Sequence, residues 1–201
     1  MWKPTNTYAL DTNNFNIVLS PAGYKYFIND NLFTVSQAFH EYHYSDMTRD
    51  DIVLDLGANI GGFSILAAGI ARRVCSVEPI MFQELNRNIA LNNMQDKITT
   101  HRLCLDYHQD PALWRHYSQE HPGKTFTELK DLAGDVSFLK MDVDGPERDI
   151  NPKELKGIPA IEMEIHRPFN NHLTEWLKRH YTVEMFQNSK DSYLVHARVK
   201  P

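Results

Sequence analysis

Ile52-Val53-Leu54-Asp55-Leu56-Gly57-Ala58-Asn59-Ile60-Gly61-Gly62-Phe63-Ser64 is the stretch on which the reading of this chain turns. An apolar strand runs through Asp55 into a glycine-rich turn, and a helix is predicted to begin near Gly62. Glycines there permit backbone angles closed to other residues and let a ligand approach the main chain. The carboxyl end of a first strand is also where open α/β sheets bind nucleotides. The bland alternative is a tight strand-to-helix turn that binds nothing.

A second feature weighs against that alternative. Val77-Glu78-Pro79 ends the next strand, with Glu78 23 residues beyond Asp55. An acid at that place accepts hydrogen bonds from ribose hydroxyls. The loop spacing, Gly57-x-x-x-Gly61-Gly62 after Asp55, departs from the G-x-G-x-x-G that seats a pyrophosphate on a helix N-terminus. An acid inside the loop repels a pyrophosphate and suits the cationic amino group of a methionyl moiety. S-adenosylmethionine is therefore favoured over NAD.

Outward from this stretch the chain alternates short apolar runs with helical ones. Strands are predicted at Ile52–Leu56, Val74–Val77, Ile98–Leu103, Val136–Met141 and Ala160–Ile165, and helices at Gly62–Ala71 and Met81–Asn93. Shorter helices are expected after Pro146 and around Leu173–Leu177, where Leu173, Trp176 and Leu177 form an ordinary core-facing stripe. Val183–Phe186 and Tyr193–Val199 would close the domain as a pair. Such alternation implies parallel β-α-β units in a doubly wound, Rossmann-like α/β sheet. Residues 1–50 read differently: Phe15–Leu19 and Tyr24–Ile28 flank a Ser20-Pro21-Ala22-Gly23 turn, and Thr34–Tyr42 looks helical. These residues are expected to form a small N-terminal cap within the same domain, over a core of residues 51–201.

The 201 residues, 42% of them hydrophobic, suffice for one domain with a real core. A formal charge of −5 excludes a polybasic coat and argues against nucleic acid as a partner. Arg72-Arg73 and Lys178-Arg179-His180 read as solvated helix ends. The two cysteines, Cys75 and Cys104, read as reduced buried thiols. With no signal peptide and no apolar run long enough to span a bilayer, a cytoplasmic protein with no membrane partner is expected.

The sequence resembles the class I S-adenosylmethionine methyltransferases, and among them the FkbM-type family. The resemblance rests on Leu54–Gly61, on Val77-Glu78-Pro79, and on Phe138-Leu139-Lys140-Met141-Asp142-Val143-Asp144-Gly145-Pro146-Glu147, within about Thr34 to His166. The family pattern in the third block is Lys-x-Asp-Val-Glu-Gly-x-Glu, and this chain carries Asp144 and Pro146 in place of the middle acid and a small residue. The resemblance implies a seven-stranded, mostly parallel sheet with an antiparallel last strand, and O-methylation of a hydroxyl on a small or sugar-containing acceptor. It further implies cofactor binding by Asp55, Gly57, Ala58, Asn59, Gly61, Phe63, Ser64, Glu78, Pro79 and Asp142. Leu105 and Asp106, after the third strand, would lie near the adenine.

Strand alternation puts Phe138, Lys140 and Asp142 on one face, and Glu162, Glu164 and His166 on one face of the next strand. Buried ionisable groups need partners, so Lys140 is expected to pair with Glu162 or Glu164. His166, with the pKa range of a general base, is the candidate base. Asp142 and Glu164 would orient the hydroxyl beside it. Asp142 and Asp144 are potential oxygen ligands for Mg²⁺, but with no third ligand evident, no metal is expected. In His40-Glu41-Tyr42-His43 the histidines are three apart, not the four of H-E-x-x-H. They read as a helix surface or a substrate-facing edge.

Competing readings are an RNA or amine N-methyltransferase, and a non-catalytic nucleoside-binding module of the same fold. The first is disfavoured because Asp142-Val143-Asp144-Gly145 stands where an (Asp/Asn)-Pro-Pro-(Tyr/Phe) block is expected. The second would bind cofactor and turn over nothing. Acceptor choice is assigned to the cap and to the Asp106–Lys130 insertion, with Trp114, Tyr117 and Phe126. The aromatic-rich cap could cover a pocket or a second copy, leaving a homodimer open.

Overall fold

In the computed structural model, residues 9–10, 17–27, 35, 38, 41–106 and 121–200 are described. The chain runs through strands β1 (Ala9–Leu10), β2 (Ile17–Leu19), β3 (Lys25–Phe27) and β4 (Ile52–Leu56) into helix α1 (Gly62–Ile70). Strand β5 (Arg73–Val77), helix α2 (Phe82–Leu91), and strands β6 (Ile98–His101), β7 (Cys104–Leu105) and β8 (Gly123–Lys124) follow. Helix α3 (Phe126–Ala133), β9 (Phe138–Met141), β10 (Ala160–His166), α4 (Asn171–His180), β11 (Tyr181–Gln187) and β12 (Ser192–Val199) complete it. The segment after Gly145 is a 3-10 turn, Pro146–Asp149, not an α-helix.

Seven strands form the central sheet in the order β11-β12-β10-β9-β4-β5-β6. Neighbours from β6 to β10 are parallel, and β12 runs antiparallel between β10 and β11. The expected Rossmann-like sheet with a reversed last strand is therefore present. Strand order reverses between β4 and β9, which opens a crevice at their carboxyl ends.

Buried aliphatic runs hold the parallel strands from both faces. One face carries Val53, Val74 and Phe138 against Phe63, Ile65 and Ala67 of α1; the other carries Leu54, Leu139 and Met141 against Leu129 of α3 and Leu173 and Leu177 of α4. A capping box starts α3: Thr125 accepts from the Glu128 amide while Glu128 accepts from the Thr125 amide. Both cysteines are buried free thiols.

The expected N-terminal hairpin is β2–β3. It is stitched to α2 by two asparagines that imitate a strand partner. Asn88, fully buried, accepts from the Phe27 amide at 2.6 Å and donates to the Ile60 and Phe27 carbonyls. Asn92 accepts from the Lys25 amide at 2.8 Å and donates to its carbonyl at 2.6 Å. Of the predicted helix at 34–42, Val35 and Ala38 are helical and buried, and most of the rest lies outside the described residues.

Candidate functional site

The turn after β4 is bent by left-handed residues: Gly57 at φ 75°, Asn59 at 50° and Gly61 at 92°. Gly57 and Ala58 both donate to the Val77 carbonyl, at 3.0 and 3.1 Å, which presses the turn onto the end of β5. A Cβ on Gly57 would stand 1.7 Å from the Asp142 carbonyl oxygen, so the ends of β4 and β9 touch through a glycine. Gly61 opens α1 with Leu85 close against it.

Glu78 fastens this turn. Its Oε2 accepts from the Asn59 amide at 2.7 Å, and its Oε1 from the Ile80 and Met81 amides at 2.6 and 2.9 Å. Ile80 and Met81 lead into α2, so the acid joins the glycine turn to the next helix. Oε2 keeps an acceptor site, which fits a ribose hydroxyl. Pro79 follows, half-buried.

Behind the turn, Asp55 is fully buried. It accepts from Ser64 Oγ at 2.5 Å and stands 3.2 Å from Lys140 Nζ. Ser64 also meets Ser76 Oγ at 2.8 Å. Lys140 donates to the Gly57 carbonyl at 2.6 Å. Burial pulls the Lys140 pKa down, but the charges of Asp55 and Asp142 outweigh it and the net shift is upward. The expected partners Glu162 and Glu164 are thus replaced by Asp55. Glu162 is already claimed by Arg198 Nη2 at 2.5 Å, by His196 Nδ1, and by the His43 amide. Phe63 is buried against Tyr42, Tyr44 and Phe138. Asp55, Phe63 and Ser64 therefore back the turn and have partners of their own.

At the carboxyl ends of β9 and β10, Asp142, Asp144 and His166 converge, with one ligand atom of each within 4.8 Å of the others. His166 Nε2 lies 3.6 Å from Asp144 Oδ1 and 3.7 Å from Glu164 Oε1. Its Nδ1 stands 3.1 Å from Glu147 Oε1, and its amide donates to the same oxygen at 2.8 Å. Glu147 is fully buried, and its second oxygen accepts from the Gly145 amide. Glu164 also accepts from Asn188 Nδ2 at 3.1 Å. Tyr42, from the N-terminal region, donates to Asp142 Oδ2 at 3.2 Å, and burial followed by the nearby acids keeps its hydroxyl protonated.

These acids correct the role read for His166. Burial pulls its pKa down, but the Glu147 hydrogen bond and the charges of Glu147, Glu164 and Asp142 prevail and push it up to about 9. At neutral pH the ring carries its proton and donates instead of accepting. A folded pKa above the unfolded value of about 6.5 stabilises the fold fully below that pH, and this contribution fades as pH rises through about 9. In EDTA-treated protein the His166 ring signals should titrate near pH 9 by NMR. His166→Gln should flatten the stability slope between neutrality and that pH; an ordinary midpoint near neutrality would remove this account.

Tyr42, Glu147 and Asn188 had no assigned role from sequence. Glu147 ends the third motif block, the one signal that could have found it. Leu105 is buried on β7, and the Asp106 amide donates to the Lys124 carbonyl at 2.8 Å in the β7–β8 pair, which sequence did not foresee. Phe126, the first residue of α3, packs in the core, while Trp114 and Tyr117 lie outside the described residues. His43 stacks on His196 at 3.6 Å between ring centroids. His40 lies outside the described residues. No described helix is long and apolar enough to cross a membrane.

No family model matches the chain, and no curated protein matches it in sequence, so the FkbM-type assignment gains no support there. Solved structures do match in fold. An rRNA methylase from Streptococcus thermophilus aligns with TM-score 0.56 at 9% identity, over 84% of this chain and 95% of that one. A Streptococcus pneumoniae protein assigned as a tRNA (m1A22) methyltransferase, crystallised with S-adenosyl-L-methionine, aligns with TM-score 0.52 at 12% identity, over 83% and 72%. Precorrin-6y C5,15-methyltransferase from Geobacter metallireducens aligns with TM-score 0.51 at 17% identity, over 84% and 86%. The first two are named for RNA, which overturns the expectation against nucleic acid as a partner. A whole-chain charge of −5 is silent about local surfaces, and enzymes named for RNA share this fold. The fold of this chain is the Rossmann-like fold of class I S-adenosylmethionine-dependent methyltransferases.

Proposed function

We propose that the chain is an S-adenosylmethionine-dependent methyltransferase that binds its cofactor in the crevice between β4 and β9. The observation that carries this reading is the fastening of the glycine turn by Glu78, whose Oε2 holds the Asn59 amide at 2.7 Å and keeps a free acceptor site. A bare strand-to-helix turn needs no acid from the neighbouring strand. In this reading the main chain of Gly57, Ala58, Asn59 and Gly61 lines the methionyl and ribose portions. Glu78 takes the ribose hydroxyls, and Pro79, Leu105 and Asp106 flank the adenine. The half-buried Asp142 faces the methionyl amino group, the role first read for Asp55, which Lys140 already neutralises. When bound, the cofactor supplies an electrophilic methyl on a sulfonium. The protein's share is positioning for in-line attack, with Tyr42, Asp142 and Glu164 at the mouth.

The acceptor has two supported readings. An RNA acceptor is favoured by the names of two fold neighbours. A hydroxyl on a small or sugar-containing molecule is favoured by the third motif block, Phe138–Glu147. Incubation with methyl-labelled S-adenosylmethionine and separate pools of tRNA, rRNA, glycosides and small alcohols decides between them by which pool takes the label. Cofactor binding with no label in any pool would favour the nucleoside-binding module.

The cofactor site is tested by calorimetric titration with S-adenosylmethionine and its demethylated product. Glu78→Ala should weaken both by about 10- to 100-fold, the loss expected for hydrogen bonds to a charged acceptor. Failure of folded wild-type protein to bind either ligand would return the turn to a purely structural role.

A further inference from the structure

We infer that Asp142, Asp144 and His166 form a binding site for one divalent transition-metal ion at the mouth of the crevice. Sequence offered Asp142 and Asp144 with no third ligand. The sheet supplies it, because β10 lies beside β9 and ends in His166. Two ligand atoms about 2.1 Å from a metal stand about 3.0 Å apart at right angles and about 3.4 Å apart at a tetrahedral angle. His166 Nε2 and Asp144 Oδ1, at 3.6 Å, are within a few tenths of an ångström of that spacing. All three groups keep a ligand atom within 4.8 Å of one another.

The second observation is what holds the histidine. Glu147 is fully buried and already accepts two main-chain amides, so its 3.1 Å contact with Nδ1 fixes the ring with Nε2 turned toward the carboxylates, where a bound metal would displace the Nε2 proton. Glu147 is itself fixed by the Gly145 and His166 amides. A carboxylate holding the far nitrogen is the arrangement by which proteins orient metal-ligating histidines. Glu164, buried, with Oε1 3.7 Å from Nε2, stands as a fourth donor and third oxygen, or as an outer-shell acceptor.

Charge points the same way. Four carboxylates, Asp142, Asp144, Glu147 and Glu164, surround one protonated imidazole. The buried Lys140 acts on Asp142 and Asp144 from a distance, but among the described residues no lysine or arginine lies within ion-pair distance of the four, so negative charge stays in excess. The other cluster of comparable composition, His43, Glu162 and His196, differs on this point. There Arg198 already supplies the cation, 2.5 Å from Glu162. One imidazole nitrogen with two or three carboxylate oxygens suits a first-row transition dication over Mg²⁺, whose sites are built from oxygen; Mn²⁺, which accepts such mixed sets, is the paramagnetic probe of that class.

The site stands on these donors alone; only its use rests on the methyltransferase reading. There it would hold and acidify an acceptor hydroxyl. The hydroxyl proton leaves to water on coordination, and an oxygen electron pair forms the bond to the methyl carbon. The carbon–sulfur pair returns to sulfur, giving the thioether.

The test is Mn²⁺ titration of EDTA-stripped protein, followed by loss of the free-ion paramagnetic resonance signal. Wild type should take up one Mn²⁺ per chain. Asp144→Asn and His166→Gln should each weaken uptake by at least about tenfold while retaining a cooperative melt, and His43→Ala should leave it unchanged. Asp144 is exposed, so its substitution spares the fold. No uptake by folded wild type, or loss in His43→Ala with none in Asp144→Asn, overturns the inference. Calorimetry with S-adenosylmethionine on the same samples separates the two claims. Mn²⁺ uptake without cofactor binding keeps this site and sinks the methyltransferase reading, and cofactor binding without uptake does the reverse.

Discussion

Gly57→Ala is expected to abolish measurable cofactor binding and to lower stability by at least about 3 kcal/mol, the range of strained or overpacked sites. Two costs add at this position. An alanine at φ 75° pays about 1–2 kcal/mol for left-handed backbone. Its Cβ would also stand 1.7 Å from the Asp142 carbonyl oxygen, so the ends of β4 and β9 must separate by more than an ångström. That separation opens the crevice in which cofactor binding is proposed. Gly157→Ala is the control, since Gly157 sits at φ 89° with nothing within 4 Å of an added Cβ. It should cost only the backbone share and leave cofactor affinity untouched. Thermal melts and calorimetry on both variants check this. Equal losses would mean that the Gly57–Asp142 contact contributes nothing beyond backbone conformation.

The sheet was legible because its strands are short apolar runs with sharp ends. Ile52–Leu56 stops at Gly57, and Val77 stops at Glu78-Pro79, so strand existence, order of appearance and the helix at Gly62 all follow from local chemistry. What alternation leaves open is which neighbour a side chain chooses. Lys140 is in register with both Glu162 on β10 and Asp55 on β4, because β9 lies between them. Choosing Asp55 required knowing that β12 inserts beside β10 and brings His196 and Arg198 onto Glu162. That is information from some 35 residues downstream and from topology. His166 was misread for a similar reason. Its position at a strand end is local, but its protonation is set by Glu147, folded back beneath it by the 3-10 turn after Gly145. Apolar periodicity carries no trace of such a turn. Tyr42 reaches Asp142 across 100 residues of sequence, a contact that only the placement of the N-terminal region creates.

The Asp55–Lys140 pair carries the other large expected effect. Both side chains are buried, with Asp55 at 0% and Lys140 at 3% exposure. Removing one partner leaves a charge stranded in the sheet, which typically costs about 3–5 kcal/mol. Asp55→Leu and Lys140→Met should each lose stability in that range, read by denaturant unfolding. Replacing both charges together, as Asp55→Leu with Lys140→Met, removes the desolvation penalty along with the attraction. The double variant should therefore be more stable than either single one, with a coupling energy well above the few tenths of a kcal/mol typical of independent sites. Additive losses would show that the two charges do not compensate each other. Cofactor binding should follow a different rule. Lys140 also holds the Gly57 carbonyl at 2.6 Å, and Asp55 holds Ser64 at the start of α1. An apolar pair can restore the sheet but cannot replace those two hydrogen bonds. The double variant should thus regain stability while remaining impaired in binding S-adenosylmethionine. Recovery of both together would mean that the pair serves the sheet alone and that the glycine turn keeps its shape without it.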